Sequence, residues 1–253
     1  MNPQAGKVYS ISGGASGLGE ALARALIANG ANVLIIDRDA KRGEALRAEF
    51  ASQVEFQATD VTSHESVTAA FAACHARFGK LDGVINCAGL GPTELTVNRD
   101  GSPHRAKMWD FIVKVNLYGV FNCSSIGASY MHKCGCADGV VINIASIAGI
   151  EGQKGQLAYA ASKGGVIGMT LPMARDLARY NVRVMCIAPG IMNTPLMAKA
   201  PPKVAEGLLK GVVYPKRFGE TSEFADLCLS IINNKYLNGE VIRFDGALRF
   251  SNM

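Results

Sequence analysis

Long hydrophobic runs are missing from this chain of 253 residues. No stretch approaches the roughly 18 consecutive apolar residues that a membrane-spanning helix needs, so we expect no membrane span. Internal repeats and low-complexity linkers are absent as well. Hydrophobic residues make up 49% of the chain and charged residues 19%. A chain of this length and composition can bury a large core, which excludes a disordered protein and a disulfide-stapled mini-protein.

Paired cysteines and metal-ligand spacings are also missing. The chain contains seven cysteines, an odd number, and several of them lie inside apolar runs. They are Cys74, Cys87, Cys123, Cys134, Cys136, Cys186 and Cys228. Cys134 and Cys136 match neither a CxxC redox pair nor a zinc half-site, and the four histidines lack the spacing of a metal cluster. We therefore expect a reduced, intracellular protein that binds no metal.

Charge of one sign is only slightly in excess. The formal net charge is +5, with Lys and Arg spread along the chain. This balance suits small anionic ligands, and no motif indicates nucleic-acid binding. The segment Met1–Lys7 is too short for a cleavable signal or transit peptide, because a strand-like run begins at Val8.

Short β-branched apolar runs alternate with longer segments of helical periodicity. The predicted strands are Val8–Ser12, Asn32–Ile36, Val54–Ala58, Gly83–Asn86, Val140–Ala145, Arg183–Ile187 and Val241–Phe244. The predicted helices are Leu18–Asn29, Ala40–Phe50, Glu65–Phe78, Met108–Met131 and Leu157–Tyr180. Such alternation implies parallel strands joined by right-handed crossovers, with helices on both faces of the sheet.

The alternation predicts a single α/β domain over residues 1–253. The first six strands form two βαβαβ halves, so we predict a Rossmann fold with a doubly wound, seven-stranded parallel sheet in the order 3-2-1-4-5-6-7. A flavodoxin-like domain would show the same alternation. Two segments interrupt it: residues 91–107, expected to be an exposed loop, and residues 189–218, expected to be a substrate lid.

A glycine-rich turn follows the first predicted strand. Gly13, Gly17 and Gly19 form a G-x-x-x-G-x-G pattern ahead of a helix. Glycine permits a tight turn and lets a pyrophosphate approach the backbone at a helix amino terminus. A sharp turn without any ligand would use the same residues, but the strand–turn–helix context favours dinucleotide binding.

Acidic residues end the second and third predicted strands. Asp37 lies 18 residues after Gly19, where a carboxylate can accept both hydroxyls of an adenosine ribose and repel a 2′-phosphate. Arg38 beside it could accept that phosphate, but the position of Asp37 favours NAD. Asp60 could bind the adenine, and both acids could instead cap the helices that follow.

Tyr159 and Lys163 are four residues apart at the start of a predicted helix, so they share one face. A phenol has a pKa of about 10, and a nearby ammonium favours the phenolate that acid–base catalysis at neutral pH requires. Ser146, at the end of the fifth strand, could hold a substrate oxygen near Tyr159. Asn116 is either a satisfied core amide or part of a water-mediated proton path to Lys163.

Taken together, these motifs resemble the short-chain dehydrogenase/reductase family over essentially the whole chain. They are Gly13-x-x-x-Gly17-x-Gly19, Asp60-Val61, Asn86-Cys87-Ala88-Gly89, Asn116, Ser146, Tyr159-x-x-x-Lys163 and Pro189-Gly190. The resemblance implies that Tyr159 is the general acid/base, that Lys163 tunes its pKa and binds the ribose, and that Ser146 binds the substrate oxygen. It places Asn116 with these catalytic residues.

Within the family, the second half of the chain is similar to the type II 3-hydroxyacyl-CoA dehydrogenases. The stretches Glu151–Gln156, Gly168–Leu177 and Asn238–Arg243 carry this similarity. It implies NAD as cofactor, a homotetramer and a mitochondrial location, with the cytoplasm as the alternative because no presequence is visible. Gln153 is expected near the substrate. The implied cofactor contacts are Gly13, Ser16, Gly17, Leu18, Gly19, Asp37, Asp60, Val61, Cys87, Ala88, Gly89, Tyr159, Lys163, Pro189, Gly190 and Thr194.

Some residues depart from the family pattern. Ser12 stands where threonine is usual, and Cys87 replaces the second asparagine of the N-N-A-G motif, a replacement that the hydroxyacyl-CoA group shares. Residues 191–194 and 91–107 match that group poorly, so the identity of the substrate stays open.

The sequence therefore predicts an NAD-dependent oxidoreductase that interconverts a secondary alcohol and a ketone, foremost a 3-hydroxyacyl-CoA and its 3-oxo form. The alternatives are a hydroxysteroid dehydrogenase, a 3-oxoacyl-acyl-carrier-protein reductase and a non-catalytic dinucleotide sensor. Basic residues in the 189–218 segment could meet coenzyme A phosphates or simply form the solvated face of a lid. They are Lys199, Lys203, Lys210, Lys216 and Arg217.

Overall fold

A computed structural model describes residues 3–195, 197–199 and 202–250. Its strands are β1 (Val8–Ser12), β2 (Asn32–Asp37), β3 (Val54–Ala58), β4 (Gly83–Asn86), β5 (Gly139–Ile144), β6 (Val182–Pro189) and β7 (Val241–Phe244). They form one sheet in the order β3-β2-β1-β4-β5-β6-β7, and every neighbouring pair is parallel. The predicted doubly wound Rossmann arrangement is thus confirmed.

The helices cover both faces of this sheet. They are α1 (Gly17–Ala28), α2 (Ala40–Glu49), α3 (His64–Phe78), α4 (Ala106–Val113), α5 (Gly119–Lys133), α6 (Leu157–Gly168), α7 (Thr170–Leu177), α8 (Pro202–Lys210) and α9 (Thr221–Asn233). No helix in the described ranges is both long enough and apolar enough to cross a membrane.

The pleat of the strands divides the core into two apolar layers. Ile35 of β2 packs into the layer that also holds Leu22 of α1 and Phe224 of α9. Its neighbour Leu34 points to the opposite face, where it joins the layer that holds Phe71 of α3. Side chains alternate across a strand, so a run of consecutive apolar residues is what a sheet covered on both faces requires.

Two predicted helices are interrupted. The predicted Met108–Met131 helix consists of α4, a π-helical turn at Lys114–Tyr118, and α5. The predicted Leu157–Tyr180 helix is α6, α7 and a 3₁₀ turn at Ala178–Tyr180, with the break at Met169. Pro172 has no N–H to donate to the preceding turn, and it lies in the first turn of α7, where this loss is tolerated.

The two segments that break the alternation have defined structure. Residues 91–107 are mostly exposed, and Glu94 fixes this loop by accepting hydrogen bonds from the backbone N and Nε of Arg105. A backbone hydrogen bond from Glu94 N to Gly155 O ties this loop to the loop after β5. The second segment, residues 189–218, contains a 3₁₀ turn at Met197–Lys199 and α8.

A buried arginine closes the edge of the sheet where the strands begin. Nη1 of Arg183 donates to the carbonyl oxygens of Ile231 and Leu237 over 3.2 and 2.8 Å. Nη2 donates to Ile232 O over 3.1 Å. The last carbonyls of a helix lack partners within the helix, so Arg183 satisfies the end of α9 and joins it to β6.

Candidate active site

The carboxyl ends of the strands surround a cavity of about 670 Å³. Open α/β sheets bind ligands at this edge, beside the point where the strand order reverses between β1 and β4. All of the predicted cofactor and substrate contacts line the cavity, and Asn116 is the one predicted site residue that does not.

The glycine turn between β1 and α1 leaves no room for side chains. Gly13 and Gly17 have φ angles of +68° and +57°, in the left-handed region that favours glycine. A Cβ on Gly19 would lie 2.2 Å from the carbonyl oxygen of Gly13, and one on Gly13 would lie 2.7 Å from Ala88 N. The turn therefore leaves bare backbone at the amino terminus of α1, which fits a dinucleotide pyrophosphate.

Asp37 ends β2 beside this turn. Its Oδ2 accepts a hydrogen bond from Ala15 N and its Oδ1 accepts one from Asp39 N, both at 3.0 Å. Asp39, not Asp37, caps α2 by accepting a hydrogen bond from Arg42 N. The capping alternative for Asp37 is thus wrong. Its carboxylate lines the cavity and also holds the glycine turn in place.

Residues that follow β3 also line the cavity. Oδ1 of Asp60 accepts hydrogen bonds from the backbone N and Oγ1 of Thr62, while the cap of α3 is Ser63, whose Oγ accepts from Ser66 N. The alternative in which Asp60 caps this helix is therefore also wrong. Val61 beside it is buried, and Asn122 Nδ2 donates to its carbonyl oxygen.

Tyr159 and Lys163 face the cavity from successive turns of α6. Lys163 is 5% exposed, and its Nζ donates to Ile144 O over 2.8 Å and lies 5.9 Å from the centre of the Tyr159 ring. Burial lowers the pKa of Lys163 to about 8. Burial also raises the pKa of Tyr159, and a hydrogen bond with Ser146 acts in the opposite direction. Burial is the larger of these two effects on Tyr159. That the Lys163 ammonium favours the phenolate stays a prediction for the working complex.

Ser146 lies at the start of the turn after β5. Its Oγ accepts a hydrogen bond from Ala148 N at 3.1 Å and caps the 3₁₀ turn Ile147–Gly149. The cap fixes the hydroxyl at the cavity wall, within hydrogen-bonding reach of Tyr159. A hydroxyl and a phenol placed together can bind one substrate oxygen.

Asn116 is fully buried in the π-helical turn. Its Nδ2 donates to Leu90 O at 2.8 Å and to Ser162 Oγ at 3.3 Å, and its Oδ1 accepts from Leu90 N at 2.9 Å. These bonds satisfy the amide group, and the alternative of a water-mediated path to Lys163 stays a prediction. The side chain holds the backbone of Leu90, and with it the segment that begins at Cys87.

Cys87 and Ala88 pass close to the first strand. Cys87 N donates to Ser12 O at 3.0 Å, and the hydroxyl of Ser12 lies 3.4 Å from Ala88 N. Serine thus places a hydroxyl at the position where the family usually has threonine. Burial raises the pKa of the Cys87 thiol to about 12, so this thiol is inert at neutral pH.

The segment after β6 closes the cavity from above. Gly190 N donates to Phe244 O at 2.9 Å, and a Cβ on Gly190 would lie 2.8 Å from Asp245 Cβ. Thr194 lies over the glycine turn, with its Cγ2 3.7 Å from the position of a Cβ on Gly17. Of the predicted basic cluster, the side chains of Lys199 and Lys203 lie outside the described residues. Lys216 binds the carbonyls of Lys210 and Val212, and Arg217 pairs with Glu223.

Several cavity residues were not predicted from the sequence. Leu90, Ile147, Ala148 and Ile191 are neighbours of motif residues, and that adjacency is the signal that could have found them. Others have no local signal, because tertiary packing brings them to the cavity. They are Gln156 and Phe250. Leu208 also lines the cavity, and it belongs to the segment 189–218 that the sequence predicts as a substrate lid.

The chain belongs to the short chain dehydrogenase family, whose model matches residues 7–205. With the nucleotide cradle and the Ser146–Tyr159–Lys163 group, this membership defines an oxidoreductase that acts on a CH–OH group with a nicotinamide dinucleotide.

Named relatives are similar over nearly the whole chain. The human 3-hydroxyacyl-CoA dehydrogenase type-2 is 45% identical over 249 residues, which is 96% of this chain and 95% of the relative. The Drosophila melanogaster protein of the same name is 43% identical over 248 residues, 96% of this chain and 97% of the relative. The crystal structure of 3-hydroxyacyl-CoA dehydrogenase type-2 from Mycobacterium avium has a TM-score of 0.92 and 40% identity, covering 98% of each chain.

Proposed function

We propose that this protein interconverts 3-hydroxyacyl-CoA and 3-oxoacyl-CoA with NAD(H). The observation that carries the proposal is the placement of Tyr159, Ser146 and Lys163 on one wall of a cavity that also contains a bare-backbone nucleotide cradle. The names of the relatives at 40–45% identity support the choice of substrate.

NAD is the proposed cofactor because of Asp37. A carboxylate at this position accepts the ribose hydroxyls and repels a 2′-phosphate. The glycine turn would hold the pyrophosphate, and the backbone from Cys87 to Gly89 with Pro189 and Gly190 would hold the nicotinamide end. When bound, the nicotinamide accepts a hydride from the alcohol carbon or donates one to the ketone carbon.

Tyr159 moves the proton in the proposed mechanism. In ketone reduction its phenol donates a proton to the substrate oxygen, and in alcohol oxidation its phenolate accepts that proton. Ser146 Oγ orients the same oxygen. Lys163 would bind the ribose and, as an ammonium, would favour the phenolate. Asn116 supports the cavity wall indirectly, through its two hydrogen bonds to the backbone of Leu90.

The substrate end of the cavity suits an acyl chain. It is lined by Ile147, Ile191, Leu208 and Phe250, with Gln153 as a polar neighbour. Among the described lining residues the cations are Arg38, beside Asp37, and Lys163. The acyl chain and its 3-oxo group would therefore lie inside, while the phosphates of coenzyme A stay outside the mouth.

Consumption of NADH with acetoacetyl-CoA tests this proposal. The wild type is expected to turn over and Tyr159→Phe to lose nearly all turnover while still binding NADH. Tyr236→Phe is the matched control, since Tyr236 is 99% exposed. A wild type that binds NADH but leaves acetoacetyl-CoA unreduced would contradict the proposed substrate.

A hydroxysteroid is the second candidate substrate, favoured by the apolar lining of the cavity. A steroid ketone in the same assay separates the two. A carrier-protein-linked substrate is less favoured, because such reductases usually take NADPH and Asp37 opposes it.

We further propose a homotetramer in the mitochondrion, with a role in fatty acid metabolism. Support for assembly comes from exposed aromatic side chains on α4, the π-helical turn and α5, because monomers rarely expose such a group of rings. They are Trp109, Phe111, Tyr118 and Phe121. Light scattering after gel filtration measures the assembly, and cell fractionation measures the location.

A further inference from the structure

An arginine in the last strand is tied to the loop that carries Ser146. Nη2 of Arg243 donates to Glu151 Oε1 over 2.7 Å. Glu151 follows the 3₁₀ turn that Ser146 caps. The two side chains are only 24% and 27% exposed, so water and salt screen this pair less than a pair on the open surface.

The same guanidinium also fixes the chain that follows β7. Nη2 of Arg243 donates to Asp245 Oδ2 at 2.6 Å and to Leu248 O at 2.9 Å, and its Nε donates to Asp245 Oδ2 at 2.9 Å. Arg249 reaches the same Asp245 oxygen at 3.2 Å. One planar fork thus joins the Ser146 loop to residues 245–250, here called the C-terminal segment. A lysine has no such fork.

Apolar contacts place the C-terminal segment beside the substrate. Leu248 packs with Ile147 and Val212 in a small buried cluster, and Phe250 packs against that cluster. Phe250 also lines the cavity, together with Leu208 of α8. The segment therefore lies between the Ser146 loop and α8, and its phenyl ring forms part of the cavity wall.

We propose that Arg243 is a positioning residue that holds the C-terminal segment against the Ser146 loop, and that Phe250 on this segment sets the size of the substrate chain. The inference rests on the proposed function for the class of substrate, a ketone or secondary alcohol with an apolar chain. An ordered ring in the wall excludes longer chains, and a ring free to move would admit them.

Phe250→Ala tests the wall. The ratio of kcat/KM for 3-oxodecanoyl-CoA to that for acetoacetyl-CoA should rise by about tenfold or more, the scale of discrimination for small changes in an apolar pocket. Tyr236→Ala, which removes an exposed aromatic ring, should leave the ratio unchanged. A ratio that does not move in Phe250→Ala would overturn the role of Phe250.

Glu151→Gln tests the positioning. The variant keeps the side-chain volume and the Arg243–Asp245 pair but removes the charge that ties the two segments together. We expect a higher KM for the ketone, a smaller change in kcat, an unchanged Kd for NADH, and a shift of the ratio in the same direction as Phe250→Ala. Glu49→Gln is the matched control, because it breaks the exposed Arg24–Glu49 pair on other helices. An equal loss of kcat on all substrates would overturn the proposal.

The wild-type measurements separate the two hypotheses. If the wild type reduces no thioester but reduces another ketone, the proposed substrate is wrong, and the size ratio is measured on small and large members of that other class. If the wild type binds NADH and reduces no ketone, both hypotheses fail, since Phe250 would have no substrate to select.

Discussion

Nζ of Lys163 donates a hydrogen bond to the carbonyl oxygen of Ile144 over 2.8 Å, at a site where the lysine is 5% exposed. That carbonyl ends β5, two residues before Ser146. The lysine is therefore fixed at the cavity wall by the same strand that presents the serine. An ammonium so fixed loses most of its hydration, and one neutral acceptor replaces little of it.

Lys163→Met should stabilise the ligand-free protein while removing its activity. The buried ammonium costs free energy in the folded state, because burial lowers its pKa from 10.5 to about 8. Between those two pH values the unfolded chain binds more protons, so the cost is complete below about pH 8 and disappears as the pH rises towards 10.5. At pH 7 the free energy of unfolding should rise by up to about 3 kcal/mol.

Urea unfolding at pH 7 and pH 10 measures this change, with Lys41→Met on the exposed surface of α2 as control. The stabilisation should shrink at the higher pH. Equal stabilities of variant and wild type at pH 7 would mean that the ammonium is well solvated.

The two directions of the reaction should depend oppositely on pH. Burial holds the pKa of Tyr159 above its ordinary value, so the phenol of the ligand-free protein stays protonated at neutral pH. Ketone reduction needs the proton and should slow as the pH rises through the pKa of the tyrosine in the working complex. Alcohol oxidation needs the phenolate and should quicken. Rate profiles in both directions measure this, and profiles of equal slope would argue against Tyr159 as the proton carrier.

Asp37→Asn should shift the preference between the two nicotinamide dinucleotides. The amide keeps an oxygen for Ala15 N but loses the charge that repels a 2′-phosphate. Loss of a charged acceptor for the ribose should weaken NADH binding about tenfold or more, whereas NADPH should gain relative to NADH. Fluorescence titration of both cofactors gives the Kd values, and Glu44→Gln on α2 serves as control. An unchanged Kd ratio would remove Asp37 from the ribose site.

Arg183→Met should destabilise the protein without changing its chemistry. The substitution leaves the carbonyls of Ile231, Ile232 and Leu237 without their donor in a partly buried place. The free energy of unfolding should fall by about 2–4 kcal/mol. The folded variant should keep its kcat and KM, because Arg183 lies at the edge of the sheet away from the cavity. A changed KM with intact stability would contradict this structural role.

The strands and the glycine turn could be predicted because short-range patterns encode them, and the sheet order then follows from the doubly wound plan. An apolar run such as Val33–Ile36 fits a strand that is covered on both faces of the sheet. Gly13 and Gly19 mark a turn in which any side chain would collide with the backbone. The roles of Asp37, Tyr159 and Lys163 could be predicted because Asp37 lies at the end of a strand and the other two lie near the start of a helix.

What the sequence did not predict depends on partners far away in the chain. The amide of Asn116 bonds to the backbone of Leu90, 26 residues away, a contact that no local pattern predicts. The pKa of Tyr159 depends on burial, and the four-residue spacing to Lys163 does not predict how deeply the phenol is buried. Phe250 reaches the cavity only through the packing of Leu248 and the fork of Arg243.

The parallel sheet has a further consequence for how this protein can vary. Because every strand runs the same way, all the reactive groups gather at one rim and the clamp of Arg183 on α9 sits at the other. Mutations that change substrate selectivity at the first rim therefore need not weaken the hydrogen bonds of Arg183 at the second. Substitutions that raise the free energy of unfolding at the Arg183 rim could therefore be made first. The added stability would then offset destabilising substitutions around the cavity.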